Sequence, residues 1–158
     1  KKLAGVKVGR KVDITVTTNS GAPLDLDLYQ TCKGIDSASL ITRDGGIIII
    51  ASSCNRGCGP GAVTELHQSE GSPVALLKKI ISQDLNSLPC QNQSLARVQL
   101  KNDIYLVSEL DDRLVKDMMM TPVPSIEAGL KRAFQSLGGD ASVAVIPDGP
   151  LVLPLLKN

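Results

Sequence analysis

The sequence predicts an α/β domain: a mostly parallel sheet of about five strands with helices on both faces, a Rossmann-like three-layer arrangement. Three observations carry that prediction. Short β-branched runs such as Val12-Asp13-Ile14-Thr15-Val16-Thr17 alternate with stretches of helical period, as successive βαβ units require. Ile47-Ile48-Ile49-Ile50 is apolar without alternation, the pattern of a strand covered on both faces. The chain has 158 residues, 42% apolar and 21% charged, enough to bury one core without a disulfide staple.

Taken in order, Val12 to Thr17 is the first expected strand, closed by the Asn19-Ser20-Gly21 turn. A helix follows Pro23, with Asp25 as its N-cap and Gly34 as its stop. A second short helix over 35–42 leads through Gly45-Gly46 to the isoleucine strand. A glycine-rich loop spans 52–61, and helical segments are expected over 62–69, 74–85 and 91–101. Asp103 to Ser108 reads as a third strand, 111–117 as a short helix and Met118-Met119-Met120 as a fourth strand. Ser125 caps a helix carrying Ile126, Leu130, Ala133, Phe134 and Leu137 along one face, with Gly138-Gly139 as its stop. Ser142 to Ile146 is the last core strand, ended by Pro147-Asp148-Gly149-Pro150. Residues 1–150 are thus expected to form one domain. Residues 151–158 follow as an apolar tail, in which Pro154 is unsuited to a central strand.

Composition narrows the function. Aromatic residues are only 2% of the chain (Tyr29, Tyr105 and Phe134), and Trp is absent. Base stacking on aromatic platforms is therefore disfavoured, and a net charge of +1 gives no basic surface for nucleic acid. His67 is the single histidine, so a histidine dyad or a multi-histidine metal site is not complete in this segment. No run of about 18 apolar residues exists, so no membrane span is expected. Lys1-Lys2-Leu3-Ala4-Gly5 lacks a starting Met and a following apolar region, and reads as a cut inside a longer chain rather than a signal peptide. Cys32, Cys54, Cys58 and Cys90 are few and irregularly spaced, which suits a reducing, cytoplasmic setting.

Open parallel sheets bind ligands beyond the carboxyl ends of their strands. Two loops qualify, Thr18 to Asp25 and Ser52 to Gly61. Gly57-Cys58-Gly59-Pro60-Gly61 has neither the dinucleotide spacing nor the ending of a P-loop, so turn glycines and ligand contact both stay open. Cys54 and Cys58 lack the second pair that zinc needs, and idle thiols are the expectation. His67, without an evident partner, reads as a surface or satisfied residue. The helix after Pro23 is more informative. Tyr29, Gln30 and Lys33 group on one face through i, i+3 and i, i+4 spacing. An ammonium, an amide and a phenol there would suit a carboxylate; the bland reading is a solvated face with Lys33 favouring the helix dipole.

Tyr29-Gln30-x-x-Lys33-Gly34 follows a strand and the turn Thr18-Asn19-Ser20-Gly21-Ala22-Pro23-Leu24-Asp25, and precedes Gly45-Gly46 and the isoleucine strand. This order resembles the C-terminal domain of the nickel-pincer lactate racemase family. The resemblance continues through Leu106-Val107-Ser108-Glu109, Met118-Met119-Met120-Thr121-Pro122, Ser125-Ile126-Glu127-Ala128 and Val145-Ile146-Pro147-Asp148-Gly149, nearly the whole chain. It implies a cytoplasmic two-domain enzyme that racemises or epimerises 2-hydroxy acids. The nickel pincer nucleotide, its lysine, the metal histidine and the acid/base histidines would belong to an N-terminal domain, and none is expected here. Carried over, Lys33 would pair with the substrate carboxylate, Gln30 would hydrogen-bond it, and Tyr29 would line the cleft. Many lactate-type members carry a Trp near the start of the helix matching Gln91-Asn92-Gln93-Ser94. Its absence here implies a larger or more polar hydroxy acid.

The leading expectation is therefore a substrate-orienting domain, inactive alone, that partners the missing N-terminal domain. The alternative is a non-catalytic small-molecule-binding or regulatory module of the same fold. A thiol redox or metal protein built on Cys54 and Cys58 is the weakest reading. The apolar tail is expected to be loose here, or covered by the N-terminal domain or by a second copy in a homo-oligomer.

Overall fold

A computed structural model describes residues 4–82 and 90–157. Among these described residues, seven strands and six α-helices run in the order β1 (Gly5–Val8), β2 (Val12–Thr18), α1 (Leu28–Ser39), β3 (Thr42–Ala51), α2 (Gly61–Gln68), α3 (Pro73–Ser82), α4 (Cys90–Gln99), β4 (Asp103–Val107), α5 (Asp112–Asp117), β5 (Thr121–Pro122), α6 (Ile126–Leu137), β6 (Val143–Ile146) and β7 (Leu153–Leu156). Five strands form a parallel sheet in the order β5-β4-β3-β2-β6. The chain moves outward from β2 to β5, then returns to the far side of β2. A right-handed crossover in each direction puts the connecting helices on opposite faces.

The isoleucine run explains why both faces can be covered. Ile48 and Ile50 meet Leu28, Cys32, Ile35 and Ala38 of α1 and Leu95 and Val98 of α4 on one face. Ile47 and Ile49 turn to the other, where Ile126, Leu130, Ala133 and Phe134 of α6 pack. All four isoleucines are buried, and each such side chain contributes about 1.5–3 kcal/mol of burial. The face of β2 toward α1 carries Thr15 and Thr17 instead. Both are buried and bonded, Thr15 Oγ1 to Thr42 Oγ1 at 2.8 Å and Thr17 Oγ1 to the Ile146 carbonyl at 2.9 Å.

Three boundaries differ from the sequence reading. Asp27, not Asp25, is the N-cap of α1, its carboxylate accepting from the Gln30 N–H at 2.7 Å. The helix does not stop at Gly34 but runs on to Ser39, so the two expected helices are one. Gly34 is there for close approach: a Cβ would lie 2.8 Å from Asn19 Oδ1, and the Gly149 backbone crosses beside it. Met118-Met119-Met120 is a turn, with Met119 at φ 56°, and the fourth parallel strand is the two-residue β5 just after it. The end of the helix expected over 74–85 falls at 83–85, outside the described residues.

The tail is not loose. β7 pairs in parallel with β1, an early strand the sequence reading missed, as a separate two-stranded ribbon. The N–H groups of Leu153 and Lys157 donate to the carbonyls of Ala4 and Val8. By alternation, the nitrogen of Pro154 then points away from β1, where no donor is needed. Among the described residues no helix is long and apolar enough to cross a membrane.

Candidate functional site

Both ligand-edge loops turn inward. At the point where strand order reverses, between β2 and β6, Asn19 is fully buried. Its Nδ2 donates to the Leu24 carbonyl, its Oδ1 accepts from the Gly34 N–H at 3.1 Å, and its backbone bridges Asp148. Thr18 Oγ1 donates to the Pro147 carbonyl at 2.5 Å. The gap between β2 and β6 is filled by the chain itself, while a groove of about 490 Å³ stays open beyond the ends of β2, β3 and β4, lined by Thr18, Asp25, Ser52, Ser53, Ser108 and Glu109.

The glycine loop is consumed as well. The carbonyls of Gly57 and Cys58 accept from the N–H groups of Leu28 and Tyr29 at 3.1 and 3.2 Å, and Cys54 and Arg56 donate back to Asp25 and Leu26. With Asp27 on Gln30, the first turn of α1 has its donors satisfied, so it offers no anion site. Gly59, at φ +94°, lies so close that a Cβ would be 2.6 Å from Tyr29 Cβ. The loop thus sets the place of Tyr29: Gly59 serves packing, and Gly57, at φ +84° with open space around it, serves the turn.

The polar chemistry stands on the outward side of α1. Lys33 is exposed, while Tyr29 and Gln30 are half-buried. Lys33 Nζ donates to Gln30 Oε1 at 2.6 Å. That bond fixes the amide: with Oε1 occupied, Gln30 Nε2 presents its N–H donors beside the remaining N–H groups of the ammonium. Two kinds of donor on one rim can receive both oxygens of a carboxylate. The structure brings together Gln30 and Lys33, and sets Tyr29 one turn before Lys33.

Residue spacing on α1 gave no sign of the wall opposite, although the resemblance pointed to Gln91-Asn92-Gln93-Ser94. A furrow of about 280 Å³ between α1 and α4 is lined by Lys33, Gln91, Gln93, Ser94 and Arg97 with Cys32, Asp36 and Cys90. Ser94 Oγ donates to Asp36 at 2.5–2.6 Å, tying the helices together. Burial pushes the Asp36 carboxyl up, against that bond and the nearby Arg97. A larger groove of about 740 Å³ continues past the same residues toward the Leu151 to Leu156 tail.

His67 and the cysteines do not join this site. His67 is fully buried, its Nε2 3.0 Å from Gln99 Oε1. Since that oxygen can only accept, Nε2 carries the proton and Nδ1 is free to accept from Asn92 Nδ2 at 3.4 Å. Burial holds the imidazole below its usual value. It is the satisfied histidine of the bland reading. Cys54 and Cys58 are buried thiols, raised by burial. Among the described residues no three His, Cys, Asp or Glu side chains converge for a metal ion. The described residues by themselves therefore do not fit a nickel centre.

Comparison with known proteins agrees with the fold. Residues 8–153 match the family profile described as the lactate racemase C-terminal domain. A lactate racemase of Thermoanaerobacterium thermosaccharolyticum is 34% identical over 148 residues, 91% of this chain and 35% of that protein. One of Lactiplantibacillus plantarum is 32% identical over 141 residues, 87% of this chain and 33% of that one. The chain thus spans about a third of the length of these curated relatives. Its structure superposes on the lactate racemase apoprotein of T. thermosaccharolyticum with a TM-score of 0.89, at 33% identity, covering 98% of this chain and 37% of that one. A Thermotoga maritima protein shares the fold alone, with a TM-score of 0.58 at 15% identity, covering 99% of this chain and 40% of that one. A parallel five-stranded sheet with helices on both faces, matched along nearly its whole length in sequence and in structure, makes this chain a member of the lactate racemase C-terminal domain family.

Proposed function

We propose that this domain orients a small 2-hydroxy acid for a racemase or epimerase whose nickel pincer cofactor and acid/base histidines are carried by an N-terminal domain. The observation that carries the reading is the Lys33–Gln30 pair, an ammonium and an outward-turned amide on one exposed rim of α1. Lys33 and Gln30 hold the carboxylate, and Tyr29 lines the cleft. Clamping both oxygens leaves C2 one orientation, so its hydrogen and hydroxyl meet the other domain's groups in a fixed geometry. The pair supplies donors only and takes no proton from the substrate, so the domain alone is inactive. Exposed Leu151, Leu153 and Leu156 line one groove with Leu40, the face that the N-terminal domain, or a second copy, covers. Free thiols without disulfides suit a cytoplasmic setting.

The test is Lys33→Ala in the full-length protein. A charge-assisted bond contributes about 1.5–3 kcal/mol, so kcat/KM for isomerisation should fall roughly 10- to 150-fold. Unchanged turnover removes Lys33 from the mechanism. Tight binding of 2-hydroxy acids by the isolated domain would favour a self-sufficient binding module instead.

A further inference from the structure

The two edges of the parallel sheet are not alike. β5 is two residues long and ends in Pro122, an edge blunted against further pairing. β6 is Val143-Ala144-Val145-Ile146, with no charge and no proline. The Ile14 N–H donates to the Ser142 carbonyl at 3.0 Å, so the parallel ladder with β2 goes on to use the N–H and C=O of Ala144. By alternation, the N–H and C=O of Val143 and Val145 point away from β2, and among the described residues no strand lies on that side. The same two residues carry their side chains into solvent, Val143 at 40% and Val145 at 66% exposure. Their ladder neighbours Ile14 and Val16 face α6, but that helix packs over β3 and β2 rather than over β6. Unpaired backbone groups beside exposed β-branched side chains call for an extended strand as partner.

We propose that β6 pairs antiparallel with β6 of a second copy, about a two-fold axis at Ala144, joining two five-stranded sheets into one. The strand is complementary to itself in this register. Val143 lies opposite Val145 of the second copy, and each such pair exchanges two N–H···O=C bonds, so every outward group of both strands is used. The valines of both copies then sit side by side on the α6 face, where cross-strand contact adds to the hydrogen bonds. The Lys33 rim and the groove along the tail, where the N-terminal domain is placed above, lie on the α1 side, which leaves this edge to another copy. Asp140 and Asp148 are exposed at the two ends of the strand and approach each other between copies. Their repulsion and the short contact keep the association weak and reversible.

Sedimentation of the full-length protein over a concentration series reads the association, and a reversible dimer with Kd below about 1 mM is expected. Val145→Lys places a charge on the edge, and Val145→Pro removes an outward N–H without touching the β2 ladder. Each should raise Kd at least about tenfold while the circular dichroism spectrum stays that of the parent. The register has its own test in a Cys90→Ser background. Opposite residues of a non-hydrogen-bonded pair have Cα atoms about 4.5 Å apart, within disulfide reach. Ala144→Cys should therefore link two copies on mild oxidation, and Val143→Cys, which faces Val145 instead of itself, should link far less. A protein still monomeric at about 1 mM, a dimer that both Val145 variants leave intact, or equal linking of the two cysteine variants would overturn the proposal. Neither position touches the Lys33 rim, so the outcome is independent of the carboxylate reading.

Discussion

Replacing Gly34 by Ala sets helix propensity against packing, and the two predict opposite signs. Gly34 lies inside α1, where Ala would be favoured by about 1 kcal/mol on propensity alone. Its added Cβ, however, would meet Asn19 Oδ1 at 2.8 Å, Ile50 Cδ1 at 3.0 Å and the Thr18 carbonyl at 3.2 Å. Asn19 is fully buried and accepts from the Gly34 N–H at 3.1 Å, so no water can replace a partner that moves away. Overpacking costs about 1–3 kcal/mol, and a weakened buried hydrogen bond adds about 1 kcal/mol or more. After the propensity gain the net loss is about 1–3 kcal/mol, or roughly 2–12 °C in Tm for a domain of this size. Urea unfolding followed by far-UV circular dichroism measures it. Gly71, with nothing within 4 Å of its Cβ and no left-handed φ, is the control, and Gly71→Ala should be neutral or up to about 1 kcal/mol stabilising. A Gly34→Ala protein as stable as the parent, or more so, would refute the argument that the α1 crossing excludes a side chain.

Other predictions address titration and reactivity. Burial holds His67 below its ordinary value of 6.5, so the unfolded chain binds a proton that the folded one refuses. His67 therefore favours folding fully above pH 6.5, and that contribution is lost as pH falls from there toward the folded value; the urea midpoint should drop over that window, and His67→Gln should flatten the slope. Asp13 is held well below the usual carboxylate range by Ser142 and by Arg43 at 2.5 Å. Its contribution is present above about pH 3.9 and lost in stronger acid, so Asp13→Asn should remove a separate acid limb of the same curve. Cys90 is exposed while Cys32, Cys54 and Cys58 are buried with thiols pushed up. A thiol reagent should label one cysteine quickly in the native protein and four in denaturant, and fast native labelling of more than one would contradict the burial.

The sheet was legible because its signals are local. An unbroken isoleucine run needs cover on two faces, and the Ser125 cap with its one apolar stripe places α6 directly. Gly34 misled because a glycine near the end of a helical stretch usually marks a C-terminus. Here its hydrogen is demanded by Asn19 and Gly149, partners from loops far along the chain. Met118-Met119-Met120 has the apolarity of a strand, but Met118 and Met120 are buried while Met119 takes the left-handed turn between them. The β1–β7 ribbon joins the two ends of the chain, and Pro154 argues against a strand until the direction of its nitrogen is known. At the site, helical spacing grouped Tyr29, Gln30 and Lys33 correctly on α1. The orientation of the Gln30 amide was not legible, because it is set by one hydrogen bond, from Lys33.

The Gln30–Lys33 rim and the filled gap between β2 and β6 have one explanation. In an open parallel sheet the loops after the strands usually carry the ligand, yet here they cap α1 and seal the gap between β2 and β6. Asn19, Gly34, Gly59 and Gly149 are spent on holding α1 at a fixed height against the sheet, so they belong to positioning rather than contact. The rigid object they produce is the outer rim of α1, facing the start of α4 across a polar furrow. A rim on rigid helices keeps donors in place without a ligand, which is what orientation of a carboxylate requires. It also explains why the single histidine can be buried as a structural residue. Under the proposed role, holding one end of a substrate needs donors with fixed directions, and the proton-transfer groups would approach from the side that the rim leaves open.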